Sequence, residues 1–172
     1  SDYDVRGELC VRGPIVIAGY FNNPEANAKD WDKDGFFHTG DIAFISKSEK
    51  KWYIVDRKKE LIKVRGFQVA PPEIEAVLLS HPGVIDAAVI GVSQKGENAV
   101  EHPRAFVVRR PGTNATEKEL LAYCGERLAK YKALTGGVVF MDAIPKNASG
   151  KILKRILREM VIKEENSGMP KL

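Results

Sequence analysis

Lys151 stands directly behind Ser149 and Gly150 in the polar stretch PKNASGK, residues 145–151, and a basic segment with helical patterning follows it. Pro145, Asn147, Ser149 and Gly150 are turn formers, so the lysine is expected in a loop. An ammonium in a loop is ordinarily a solvated charge, because loops are surface structures first. Two further stretches carry comparable groups. HTGD, residues 38–41, sets a carboxylate behind a Thr-Gly pair, and DRKKELIKVRGFQV, residues 56–69, gathers Arg57, Lys58, Lys59 and Lys63 ahead of an Arg65-Gly66 turn. Taken singly, the first reads as a turn that starts a strand and the second as a solvated charged face. The other reactive types are scattered. Cys10 and Cys124 form no CxxC pair and no ligand cluster with His38, His81 and His102. That argues against a zinc site or disulfide framework and for a reducing compartment.

The elements that must position these groups come in two styles. Residues 1–55 are rich in short strands and turns: GELCVRG closes on the breaker Gly13-Pro14, IVIAGYF follows as a second apolar run, and a short helical piece spans residues 25–30. DIAFIS and KWYIVD flank the charged tip KSEK, which predicts a hairpin. From Asp56 onward the pattern predicts β-β-α-β-β-α-β-α. Two short strands meet at Arg65-Gly66. Pro71-Pro72 with acidic residues behind it opens a helix that Pro82-Gly83 ends. VIDAAVIGV and PRAFVVRRPG are strands, Thr116 with Glu119 forms a capping box, GGVVFMDAIP is a further strand, and KILKRILREMVIKEE is a closing amphipathic helix that stops near Glu165.

The chain of 172 residues, 44% hydrophobic and 29% charged, has the composition of a soluble globular protein with one good core or two small ones. Its formal charge of +4 suits anionic ligands such as nucleotides and is too small to argue for nucleic acid. No apolar run reaches the ~18–20 residues of a membrane span. The chain opens without Met or a signal pattern and with a strand already under way, so it is expected to be a segment of a longer protein.

HTGD, DRKKELIKVRGFQVAPPEIE and PKNASGK, in this order and spacing and with GELCVRGP and GYFNNPEA ahead of them, resemble the C-terminal part of the adenylate-forming enzymes. That superfamily includes acyl-CoA synthetases, firefly luciferases and peptide-synthetase adenylation domains; the ligases of the 4-coumarate–CoA type look most similar. The resemblance runs from Gly7 to about Arg158. It implies an α+β chain. Residues 1–56 would be the β-rich end of a large AMP-binding domain, residues 57–165 a compact mobile C-terminal domain (small sheet with three helices), and residues 166–172 a flexible tail. It also implies that Asp41 holds the ribose hydroxyls of ATP or AMP, Arg57 assists at the nucleotide, and Lys59 is the hinge between two catalytic poses. Gly66, Phe67 and Gln68 would face the coenzyme A arm, with Lys63 at the nucleotide. Lys151 would be the catalytic lysine, on a Ser149-Gly150 loop expected to be mobile because the lysine must arrive and leave. Mg2+, the phosphate-binding loop and the acid pocket would lie mainly in a missing N-terminal domain.

The expected reaction is activation of a carboxylic acid by ATP to acyl-AMP, then transfer to coenzyme A, with the isolated segment expected to be inactive. Alternatives are a luciferase-like or peptide-synthetase second step, or a non-catalytic binding module. Two stretches depart from the family pattern. SQKGENAVEHPRAF is longer and more polar than the usual link, leaving residues 93–102 without a role, and TGGVVF replaces a basic approach. Pro170-Lys171-Leu172 resembles the Ser-Lys-Leu peroxisomal address. Import through the peroxisomal receptor is expected from it, with the cytoplasm as the alternative.

Overall fold

The computed structural model describes residues 2–93 and 100–167. The chain forms two compact units, Ser1–Lys59 and Glu60–Leu172. The division falls three residues after the 56/57 bound implied by the resemblance, for a local reason. Strand pairing continues through Arg57, and the Lys58 N–H still donates to Gly40 O at 2.7 Å within the first unit.

The first unit is an antiparallel meander of β1 (Gly7–Val11), β2 (Phe37–Ile45) and β3 (Trp52–Arg57), with helix α1 (Pro24–Asp30) between β1 and β2. Asn23 caps α1 by accepting the Ala26 N–H at 3.1 Å, and Pro24 takes the first turn, where its missing N–H is harmless. The expected hairpin is β2–β3. IVIAGYF, read as a second apolar run in a strand-rich block, forms no strand among the described residues. Pro14 removes a ladder donor at its start, Asn22 takes φ 50° at its end, and Ile15 and Phe21 stand 95% and 93% exposed.

The second unit follows the predicted order. β4 (Ile62–Val64) and β5 (Phe67–Val69) make a hairpin, and α2 (Pro71–Leu79) follows. β6 (Val84–Ser93) pairs antiparallel with β7 (Glu101–Arg109), and β8 (Val138–Phe140) adds to β7 in parallel. Helix α3 (Glu117–Arg127), carrying both bonds of the Thr116–Glu119 capping box, joins β7 to β8 through a 3-10 turn at Lys130–Lys132. Helix α4 is Lys154–Ser167.

Both faces of the β6–β7–β8 sheet are covered, which is why β6 and β7 read as nearly continuous apolar runs. Ala87, Val89, Ala105 and Val107 bury one face with Ile74 and Leu78 of α2 and Leu120 and Cys124 of α3. Ala88, Ile90 and Phe106 bury the other with Leu157 and Val161 of α4. Helix α4 begins three residues later than the pattern suggested, leaving Lys151 outside it, and ends two residues later. The tail call on Pro170-Lys171-Leu172 lies outside the described residues, as do positions 94–99 of the unassigned link.

Candidate active site

In the first unit, β2 and β3 set Asp41 directly opposite Arg57, and the Arg57 Nε meets Asp41 Oδ1 at 2.8 Å. HTGD lies inside strand β2 and not in a turn ahead of it, and Thr39 fixes the strand backbone that presents the carboxylate. Its hydroxyl donates to Leu9 O at 2.7 Å and accepts the Asp41 N–H at 3.1 Å. Gly40, at φ 71°, takes a left-handed conformation that a Cβ would strain. Asp41 Oδ2 has no partner among the described residues, so the carboxylate keeps an acceptor for a hydroxyl while the guanidinium fixes its orientation. Lys59, exposed in the turn after β3, is the last residue of this unit.

Glu8 ties the neighbouring residue down: Lys58 Nζ lies 2.9 Å from Glu8 Oε2, which also faces His38 Nδ1 at 3.4 Å. The hydrogen bond from Lys58, more than the one from His38, holds the Glu8 carboxyl below its ordinary value. Cys10 Sγ is 3.6 Å from the same His38 nitrogen. Burial first, then the Glu8 and Asp32 charges, push this thiol up.

In the second unit the β4–β5 hairpin gathers Lys63, Gly66, Phe67 and Gln68. Arg65 at φ 44° and Gly66 at φ 86° make a two-residue turn of the type whose twist matches paired strands. Lys63 and Gln68 face each other across the ladder and are exposed, whereas Ile62, Val64 and Val69 are buried beneath. Nothing lies within 4 Å of a Cβ placed on Gly66. Phe67 is half exposed and stacks on Tyr131, with centroids 4.4 Å apart.

One positioning group escaped the sequence reading. Glu101, in the link left without a role, accepts the Lys63 N–H at 2.8 Å through Oε2. It also lies against Gly91, where an added Cβ would come within 3.0 Å of Glu101 Cδ and Ile62 Cγ2. No spacing signal could have revealed it, because the fold alone brings residues 38 positions apart together.

Lys151 lies exposed in the loop between β8 and α4 and makes no ion pair among the described residues. The loop carries its own hydrogen bonds around Ser149-Gly150. Asn147 Oδ1 accepts the Ser149 N–H at 3.1 Å, the Ser149 hydroxyl at 2.8 Å and the Lys151 N–H at 2.8 Å. Polar residues, which made the stretch look like a simple connection, instead bond one another.

Among the described residues no group of three or more His, Cys, Asp and Glu side chains could hold a metal ion. Nor is any described helix long and apolar enough to cross a membrane.

Residues 73–151 match the family described as AMP-binding enzyme C-terminal domain. An acyl-CoA synthetase of Alternaria alternata is 55% identical over 168 residues, 97% of this chain and 29% of that protein. Luciferin 4-monooxygenase of Photinus pyralis is 48% identical over 167 residues, 97% of this chain and 30% of that protein. The crystal structure of ATP-bound MatB from Rhodopseudomonas palustris superposes with a TM-score of 0.84 at 36% identity, over 93% of this chain and 31% of that one. The chain thus spans about three-tenths of the length of these relatives.

Proposed function

Since residues 73–151 belong to the AMP-binding enzyme C-terminal domain family, we propose that this chain serves, within a longer protein, an acid–thiol ligase. In this reading a carboxylic acid attacks ATP at the α-phosphate to give acyl-AMP and pyrophosphate, and the thiol of coenzyme A then displaces AMP. The observation that carries it is the presence of two kinds of group, one in each unit of this chain. A carboxylate held by Arg57 keeps one oxygen free, as vicinal ribose hydroxyls require, and an unpaired ammonium at Lys151 projects from a hydrogen-bonded loop. Attack by a carboxylate on a phosphate brings two anions together, and a placed ammonium offsets that repulsion and the charge developing on the phosphate oxygens.

The likeness to an acyl-CoA synthetase supports coenzyme A as the thiol, and the ATP-bound neighbour supports the nucleotide. The separation of Lys151 from the β4–β5 hairpin into different loops of one unit fits two half-reactions served in turn, with Lys59 as pivot. The test is acid-dependent exchange of pyrophosphate into ATP by the full-length protein across a panel of carboxylic acids. Mass spectrometry then looks for the coenzyme A thioester. Exchange followed by thioester is expected; exchange with light emission and oxygen uptake but no thioester would favour the oxidative reading that the Photinus relative suggests.

Peroxisomal import is part of the proposal and rests on Pro170-Lys171-Leu172 alone. A fluorescent protein carrying the last dozen or so residues should form puncta. A diffuse signal matching a fusion without Leu172 would remove it.

A further inference from the structure

Lys146 and Lys151 between β8 and α4, and Lys154 at the start of α4, crowd one stretch, and the structure treats them differently. Lys146 Nζ pairs with Asp86 Oδ2 at 2.7 Å, and Lys154 Nζ with Glu75 Oε1 at 3.1 Å. Both of those acids belong to the packed body of the unit. Asp86 is on β6, and Glu75 on α2 also accepts the Val89 N–H at 2.8 Å. Lys151, between them, has no acidic partner among the described residues. The two flanking pairs therefore pin the stems and leave one ammonium unspent.

Between the stems the backbone closes on itself. Lys146 and Ile152 form an antiparallel bridge, and the Leu153 N–H donates to Pro145 O at 2.8 Å. The Asn147 N–H donates to Lys151 O at 3.0 Å, and the Gly150 N–H to Asn147 O at 2.9 Å. Gly150 takes φ 81°, which the closure needs and a side chain would strain. The Asn147 side chain completes the loop by gathering two N–H groups and one hydroxyl on a single oxygen. An amide carbonyl offers two lone pairs, so this oxygen is saturated by its own loop. With both the N–H and the C=O of Lys151 engaged by Asn147, the direction in which the side chain leaves the loop is fixed by residue 147.

We infer that Asn147 is a positioning residue for Lys151. It turns residues 147–151 into a rigid mount, so that the lysine is brought to the reacting phosphate by movement of the whole unit and not by flexing of its own loop. This rests on the proposed adenylation role of Lys151. A reactive group displaced by about 1 Å can lose on the order of a hundredfold in rate, so a mount of this kind affects the chemistry it serves and not the other half-reaction.

The experiment uses the full-length protein with the acid found active in pyrophosphate exchange. Exchange and transfer from preformed acyl-AMP to coenzyme A are measured separately for Lys151→Ala, Asn147→Ala and Asn147→Asp. Lys151→Ala should lower exchange by about a hundredfold or more and leave transfer far less affected. Asn147→Ala should lower exchange by about 10- to 100-fold with transfer close to wild type. Asn147→Asp, which keeps an acceptor oxygen in place, should recover most of the exchange. The inference is overturned if Lys151→Ala separates the two half-reactions and Asn147→Ala does not. It is equally overturned if Asp at position 147 is as damaging as Ala. If Lys151→Ala itself lowers both half-reactions alike, the adenylation role of Lys151 fails, and the inference fails with it.

Discussion

Asp41 and Arg57 are adjacent across a strand pair, and the ion pair between them leaves a single carboxylate oxygen open. A hydrogen bond to a charged acceptor is worth about 1.5–3 kcal/mol when its partner would otherwise be solvated. In the full-length protein, Asp41→Ala should therefore weaken AMP binding by roughly 10- to 100-fold in titration calorimetry. Unchanged affinity would leave the carboxylate a purely structural partner of Arg57. Glu8 gives a second test at this scale. Its carboxyl is held below its ordinary value mainly by the Lys58 hydrogen bond, with burial opposing and His38 adding to the depression. A group depressed on folding stabilises the fold above its unfolded value, and that contribution is lost as pH falls through the folded one. The unfolding transition that includes the first unit should thus weaken as pH falls from the ordinary carboxyl value through the lower folded one, and Glu8→Gln should flatten that decline in a thermal melt series. These single residues differ in how readable they were. Asp41 and Lys151 lie in short motifs whose order along the chain is itself the signal. The roles of Asn147 and Glu101 arise from hydrogen bonds that exist only once the backbone has closed.

At the scale of elements, capping and turn chemistry carried most of the information. The Thr116–Glu119 box, the Pro71-Pro72 helix start and the Arg65-Gly66 turn all act within a few residues, so sequence spacing suffices to read them. IVIAGYF shows the opposite case. Its apolar content suggested a place among short strands, but among the described residues of this unit no strand pairs with it, and Ile15, Ile17 and Phe21 stay exposed. A strand is a property of a pair, and composition reports only one partner. The parallel docking of β8 on β7 was likewise invisible, because a helix and a 3-10 turn separate the two. Gly66 yields the test at this scale. With open space around a Cβ and φ 86°, its requirement is conformational and not steric within this unit. Gly66→Ala should cost about 1–2 kcal/mol of stability in denaturant unfolding, and Gly66→Asn clearly less, since Asn tolerates this region better. Equal costs would show that something other than φ holds the glycine there.

For the whole molecule, the two compact units divide at Lys59, and the residues proposed for the two half-reactions lie in separate loops of the second unit. One unit that presents Lys151 for adenylation and the β4–β5 hairpin for thioester formation requires a pivot, and pivots are a few residues at element ends that absorb backbone change. In the proposed reading Lys59 is that pivot, being exposed and just past the last residue that β3 and the Gly40 carbonyl hold in place. Proline there fixes φ near −65° and restricts Lys58 as well. The most direct test is therefore Lys59→Pro in the full-length protein, with pyrophosphate exchange and thioester formation from preformed acyl-AMP measured on the same preparation. Exchange within a few-fold of wild type, with thioester formation lowered on the order of tenfold or more, is the expected result. Equal loss of both, or loss of neither, would contradict a second unit that serves the two steps by turning at Lys59.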